Sequence, residues 1–419
     1  MLNLLDKCWK YRLQVVCHLC DHVSNVPELD ENQVAICRVC GGHVVEGAKH
    51  DDEKVIAFAT TASILLLCSL LFELISFSRQ GLVQSMGLMD VSLVMVKHQY
   101  EPLGALMAAT ITMLPASLLL FAFILHTPLR KLLSTSLQIF MTKAIFFCKE
   151  WSMPEIFLVA VLVSLVKITS LADVGMGLSF WAYIGFVVFF LLTMLNINRK
   201  NLWDTISHHA SYPQHPASGR AIDATISGCH TCDLVTKESK CPRCHSKVHT
   251  RKPQSVQKTL AWLATAFLLY IPANIEPILI TVFLNSPEPS TIIGGVAVLI
   301  EHGSYPIAIV IFVASVMLPL AKMAAFALFC WVVTNQKNIC RLSFTQIYTI
   351  AEFLGKWSMI DVYVVAVLAA LVQLSGMMEI VPGIGAVYFS LMVIASMIAA
   401  HSFDPKLLWD LEQKQANKE

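Results

Sequence analysis

The sequence predicts an all-α polytopic membrane protein: two tandem four-helix transmembrane modules, about eight spans in all, each preceded by a small cysteine-rich domain. Three observations carry this reading. Of the 419 residues, 56% are hydrophobic and only 14% charged, and the mean hydropathy of +0.64 lies outside the range of soluble globular domains. The apolar residues gather into eight runs of roughly the 20 residues that a helix needs to cross a hydrocarbon core about 30 Å thick. Landmarks of the first half of the chain then return in the second half in the same order. A net charge of +1 supplies no basic field, so nucleic acid is excluded as a partner.

Taken in order, residues 12–50 form the first cysteine-rich domain, with Cys17-His18-Leu19-Cys20-Asp21 followed by Cys37 and Cys40. Nothing ahead of it has the charged, apolar and small-residue order of a cleavable signal, and the first long apolar run starts near Val55, so this domain is expected in the cytoplasm. The first membrane module, 55–200, holds runs at 55–77, 103–125, 154–171 and 175–195. The second cysteine-rich domain spans 224–252, with Cys229, Cys232, Cys241 and Cys244. The second membrane module, 258–405, holds runs at 259–284, 305–333, 359–378 and 381–400, and a cytoplasmic tail covers 406–419. The third and seventh runs nearly touch the runs after them, so each pair reads as a helical hairpin or as one broken span.

Orientation follows from basic residues, which stay cytoplasmic in short loops. Arg130, Lys131, Lys143 and Lys149 lie between runs two and three, and Lys337, Arg341 and Lys356 between runs six and seven. Glu288 and Glu301 stand without Lys or Arg between runs five and six. Both termini and the insert at 196–258 are therefore predicted to be cytoplasmic.

The repeat is explicit. Trp151-Ser152-Met153 returns as Trp357-Ser358-Met359 and Leu202-Trp203-Asp204 as Leu408-Trp409-Asp410, each 206 positions later. Met113-Leu114-Pro115 matches Met317-Leu318-Pro319, and Gly175-Met176-Gly177 resembles Gly383-Ile384-Gly385. The element at Cys17–Asp21 returns as Cys229-His230-Thr231-Cys232-Asp233. An even number of spans per half makes the repeat parallel.

Two Cys-x-x-Cys turns aim four thiolates at the corners of a tetrahedron, the closed geometry of structural zinc sites. Cys17, Cys20, Cys37 and Cys40 form one such set, and Cys229, Cys232, Cys241 and Cys244 the other. Each domain is thus predicted to be a zinc ribbon, with iron in a rubredoxin-like site as the alternative metal. A redox dithiol is the competing chemistry, but the βαβ setting of thioredoxin-like sites is absent. Four thiolates complete each set, so His18, His230 and His245 are expected beside the metal rather than on it.

Inside the membrane runs, Lys322 is the costliest residue, at about 2.5–3.5 kcal/mol for a lysine at mid-helix. Ser315, seven positions earlier, shares its face of an α-helix, and Ser358 and Asp361 at the start of run seven are candidates for its polar neighbours. Lys167 marks a second polar spot, and Glu155 stands in the first repeat where Asp361 stands in the second. Pro272-Ala273-Asn274-Ile275-Glu276-Pro277 predicts a broken helix with Asn274 and Glu276 in the break. A polar network serving transport is one reading. Helix glue, with Lys167 and Asp361 snorkelling to an interface, is the other.

The duplicated order of cysteine element, apolar runs, Trp-Ser-Met and Leu-Trp-Asp resembles the paraquat-inducible protein A family, from Cys17 to about Asp410. Thr291-Ile292-Ile293-Gly294-Gly295-Val296 and Leu318-Pro319-Leu320-Ala321-Lys322 are the most family-like stretches. The resemblance implies an inner-membrane subunit of Gram-negative bacteria that loads phospholipid into, or receives it from, a periplasmic MCE-domain partner and supports envelope integrity. It implies tetraspanin-type four-helix units, and a polar network that includes Lys167, Ser315, Lys322 and Ser358. A stand-alone proton-coupled transporter, and then a membrane redox protein, are the rival functions. No enzyme chemistry is expected. No Gly-x-x-x-x-Gly-Lys-Ser/Thr loop occurs, so no nucleotide is expected either.

Overall fold

The computed structural model describes residues 13–27, 29, 33–47, 52–79, 82–168, 173–207, 219–283, 286–301, 303, 305–336, 341–371, 373–374 and 378–410. In the first half the helices are α1 (Asp52–Leu71), α2 (Asp90–Lys97), α3 (Glu101–Ala108), α4 (Leu114–His126), α5 (Thr135–Cys148), α6 (Pro154–Ile168), α7 (Leu178–Asn196) and α8 (Arg199–Ile206). In the second half they are α9 (Ser255–Ile275), α10 (Ile292–Glu301), α11 (Tyr305–Phe312), α12 (Leu318–Asn335), α13 (Arg341–Trp357), α14 (Ile360–Leu371) and α15 (Ile384–Ser402). The order of elements runs twice.

Among the described residues, six helical stretches are long and apolar enough to cross a membrane: Asp52–Leu71, Glu101–His126, Leu178–Asn196, Ser255–Ile275, Val313–Asn335 and Ile384–Asp410. The eight-run expectation therefore exceeds the long helices by two. Runs three and seven became α6 and α14, of 15 and 12 residues. At 1.5 Å per residue these reach only about 22 Å and 18 Å.

The all-α expectation also needs correction, since five small sheets occur among the described residues. Apolar runs one and five overshoot their helices because their ends are strands, Ile75–Arg79 and Leu279–Phe283, whose β-branched and aromatic residues suit a pleat. Ile75–Arg79 pairs with Leu82–Met86 and Asp173–Met176. Leu279–Phe283 lies between Ser286–Ser290 and Met378–Pro382, with Gln373–Leu374 beyond. These sheets cap the helices at the end opposite the cysteine-rich domains. They also explain the repeated glycines, in a register two residues from the one the tripeptides suggest. Gly177 and Gly383 precede α7 and α15, and a Cβ on either would sit 2.0 Å from a carbonyl oxygen, of Glu73 or Pro277.

The repeated Met-Leu-Pro has a local cause as well. A proline inside a helix removes one hydrogen bond and crowds the carbonyl four residues back. Here a π-helical turn, Ala109–Met113 or Val313–Met317, precedes Pro115 and Pro319 and absorbs the misfit. The connecting segments after α4 and α12 are not plain loops but carry α5 and α13. On α13, Ile347, Ile350 and Phe353 are exposed along one side.

The two halves meet where α6 packs on α14. Phe157 and Tyr363, at equivalent places in the repeat, stand edge to face at 5.9 Å and 90°. The Tyr363 hydroxyl then donates to Thr110 Oγ1 at 2.8 Å, from α14 to the π turn of the first half. Tyr363→Phe removes only that bond, and Phe157 shows that the bare ring fits. Thermal unfolding in detergent is expected to register a loss of about 1 kcal/mol. An unchanged midpoint would mean that the hydroxyl contributes nothing to the joint.

Candidate metal centres and an intramembrane lysine

Each cysteine pair sits on a tight turn between strands. Leu13–Val16 and His22–Val26 flank Cys17 and Cys20, while Val34–Ile36 and His43–Glu46 flank Cys37 and Cys40. Ser227–Gly228 and Val235–Thr236 flank Cys229 and Cys232, and a bridge between Lys240 and Lys247 flanks Cys241 and Cys244. All four turns close the same way. The residue after the second cysteine goes left-handed, with φ of 64° at Asp21, 72° at Gly41, 59° at Asp233 and 58° at His245. Its N–H donates back to the carbonyl of the first cysteine at 2.9–3.1 Å. The Gly42 N–H points at Cys40 Sγ at 3.4 Å, and a Cβ there would strike Leu19 Cδ1 at 2.7 Å.

The four sulfurs of each set lie within 4.8 Å of one another. Cys17–Cys40 and Cys20–Cys37 are 3.5 Å apart, as are Cys229–Cys244 and Cys232–Cys241. Zinc–sulfur bonds of about 2.3 Å in a tetrahedron ask for sulfurs roughly 3.8 Å apart, so both sets fit a four-thiolate metal. The longer link in the first set, 16 residues against 8, leaves the turns alike. The crowded sulfurs split each set, holding at least one thiol down toward thiolate, the form a metal takes, while pushing Cys20 and Cys232 up. Hydrogen bonding from Cys20 pulls Cys17 down to about 5, and that from Cys229 pulls Cys241 down to about 6.

The histidines stand outside both sets. His18 Nε2 lies 2.8 Å from Asp233 Oδ1. Burial first, then the Lys406 charge, pushes His230 down to about 4. In the second centre the metal site is itself the core: Cys229, Cys232, Cys241 and Cys244 are buried with Val248 and with Trp203 of the Leu-Trp-Asp motif.

Lys322, on α12, is 5% exposed. Its ammonium donates to Ser396 Oγ on α15 at 3.3 Å, and the Ser396 hydroxyl donates in turn to the Val393 carbonyl at 2.7 Å. Gly355 of α13 lies over the amine, where a Cβ would come within 2.7 Å of Nζ. Ser315 and Ser358 are each 1% exposed, Ser315 on the π turn that shifts the α-helical phase between it and Lys322. Asp361 opens α14 with Oδ2 buried. The structure thus pairs Lys322 with Ser396, a residue that sequence reasoning passed over. The only signal for Ser396 was a hydroxyl in the last apolar run. The Lys167 side chain lies outside the described residues. The predicted break at the prolines is an ending instead: α9 runs through Pro272 and stops at Ile275. Asn274 Nδ2 donates to the Tyr270 carbonyl at 2.9 Å, and Glu276 leads into the strand beyond.

A helical membrane domain built twice, with a four-thiol centre beside each copy, defines a multi-pass membrane protein with paired metal modules. The chain belongs to the paraquat-inducible protein A family, whose model matches it twice, at residues 53–207 and 256–413. It is 36% identical over 408 residues to the intermembrane transport protein PqiA of Escherichia coli strain K12, covering 97% of each chain. It is also 26% identical to the lipophilic envelope-spanning tunnel protein A of that strain, over 95% of this chain and 91% of the relative. A probable intermembrane transport protein of Haemophilus influenzae is 25% identical over 95% of this chain and 96% of its own length. No solved structure matches the chain.

Proposed function

We propose that the chain is the inner-membrane subunit of an intermembrane lipid transport system, passing phospholipid to or from a periplasmic MCE-domain partner. The observation that carries this reading is likeness along almost the whole chain to relatives named for transport between membranes and for an envelope-spanning tunnel. The amine of Lys322, held among apolar helices by one hydroxyl, adds a polar point of the kind that marks a transport path. In this reading α6 and α14 complete two tandem four-helix modules of four spans each. The metal is zinc, the ribbons and both termini face the cytoplasm, and the two sheets face the partner. The polar set around Lys322 includes Ser315, Ser358 and Asp361, with Lys167, Asn274 and Glu276 as further polar points.

Native mass spectrometry of the protein extracted from its own host tests the whole reading in one spectrum. The expected species carries two zinc ions, bound phospholipid and a co-purifying periplasmic chain. Zinc without lipid or partner, together with small-molecule flux in liposomes holding this chain alone, would replace it with a stand-alone proton-coupled transporter.

A further inference from the structure

The first turn of each metal centre ends in an aspartate, Asp21 or Asp233, and the left-handed backbone that wraps the sulfurs also aims that carboxylate. Asp21, 2% exposed, accepts from the ammonium of Lys406, itself 3% exposed, at 2.8 Å. Arg251 lies 3.0 Å from the other oxygen of Asp21 and holds both oxygens of Asp410 at 2.7 Å. Arg220, on a strand that extends the sheet of the N-terminal domain, grips the same Asp410. Asp233 meets Arg199 at 3.3 Å, and Arg243 holds Asp204.

The contacts cross the chain. The central metal domain sits on the end of the first membrane half, at Arg199, Trp203 and Asp204, while its last residues, Arg251 and Lys252, reach Asp410, Asp404 and the His401 and Phe403 carbonyls of the second. The N-terminal domain sits on the end of the second half, 385 positions from Asp21. His18 on Asp233 joins the two domains to each other.

We infer that Asp21 is a latch: a positioning residue, set by the N-terminal metal turn, that closes the chain end to end by fixing the tail of α15 to the metal layer. Asp233 fixes the tail of the first half in the same way. A buried carboxylate and a buried ammonium each depend on the other, so the latch is either made or open. With both tails tied into one layer, relative movement of the halves is confined to the end that carries the sheets. The latch concerns the metal layer alone and is independent of what the membrane domain carries.

Hydrogen exchange of the full-length protein in nanodiscs, with metal counted on the same sample, tests it. Asp21→Asn keeps the side chain's shape and all eight ligand thiols. It is expected to raise exchange at residues 402–410 at least tenfold, while 199–207 stay protected and both metals remain. Lys406→Met should do the same, and the double variant no more. Cys37→Ala, with one metal lost, should loosen 402–410 while 199–207 stay protected, and Cys241→Ala should loosen 199–207 and, through Arg251, 402–410 as well. Unmoved exchange at 402–410 in Asp21→Asn overturns the latch, as do additive effects in the double variant. Loss of metal from Asp21→Asn overturns it too, since the aspartate would then serve the centre and not the tail. The Asp21→Asn result decides even where a cysteine variant does not accumulate.

Discussion

Cys241→Ala is expected to empty the membrane of this protein, cutting steady-state abundance at least tenfold. The reason is the size of the core that the centre replaces. Among the described residues, Cys229, Cys232, Cys241 and Cys244 are buried with Trp203 and Val248, with Ile139, Phe146 and Leu234 packed against them, and Ile226 and Val235 are buried against the N-terminal domain, too little apolar surface to hold a domain of this size folded. Metal binding supplies the difference, about 10–16 kcal/mol of apparent folding free energy in zinc-finger peptides. Three thiolates lose most of that, and the cost passes into the membrane domain because Trp203 and Asp204 lose their seat. Immunoblotting of membranes, with metal counted on whatever protein remains, measures it. A variant that is abundant, short of one metal and inactive would instead mean that the thiols do redox work.

Much of this architecture was legible because it rests on local chemistry. Cysteine spacing defined both centres, since the Cys-x-x-Cys turn builds the same left-handed closure whatever surrounds it. The repeats of Leu-Trp-Asp and Met-Leu-Pro pointed at real devices, a seat for the metal domains and a proline with its π turn. Hydropathy alone could not separate helix from strand at the ends of the apolar runs, because Leu279–Phe283 is as apolar as the helix it follows and Ile75 and Phe77 continue the apolar run past Leu71. That is why the sheets were missed and runs one and five read too long. Ser396 and the two latch aspartates were out of reach for another reason. Their roles depend on contacts 74 positions along the chain for Ser396, 385 for Asp21 and 34 for Asp233, and no local pattern encodes partners that far away.

Lys322→Met is expected to abolish transport while leaving the protein as abundant and at least as heat-stable as before. The amine has one described hydrogen-bond partner, the Ser396 hydroxyl, and the Glu352 carboxylate acts on it only through its charge. Holding it inside the bundle therefore costs stability that a thioether of similar length does not. Structure alone would favour methionine, so a lysine kept there at a cost points to a task for the amine. Gly355→Ala presses on the same atom from α13, where a Cβ would come within 2.7 Å of Nζ. It should lower transport in the same direction without touching the charge. Complementation of cells lacking their own copy, under challenge with a membrane-perturbing detergent and with abundance measured in parallel, separates the two accounts. Full activity in Lys322→Met would assign the residue to helix packing. Lost activity at full abundance, with a partial loss in Gly355→Ala, would place the transport step at this amine and require α12, α13 and α15 to move around it.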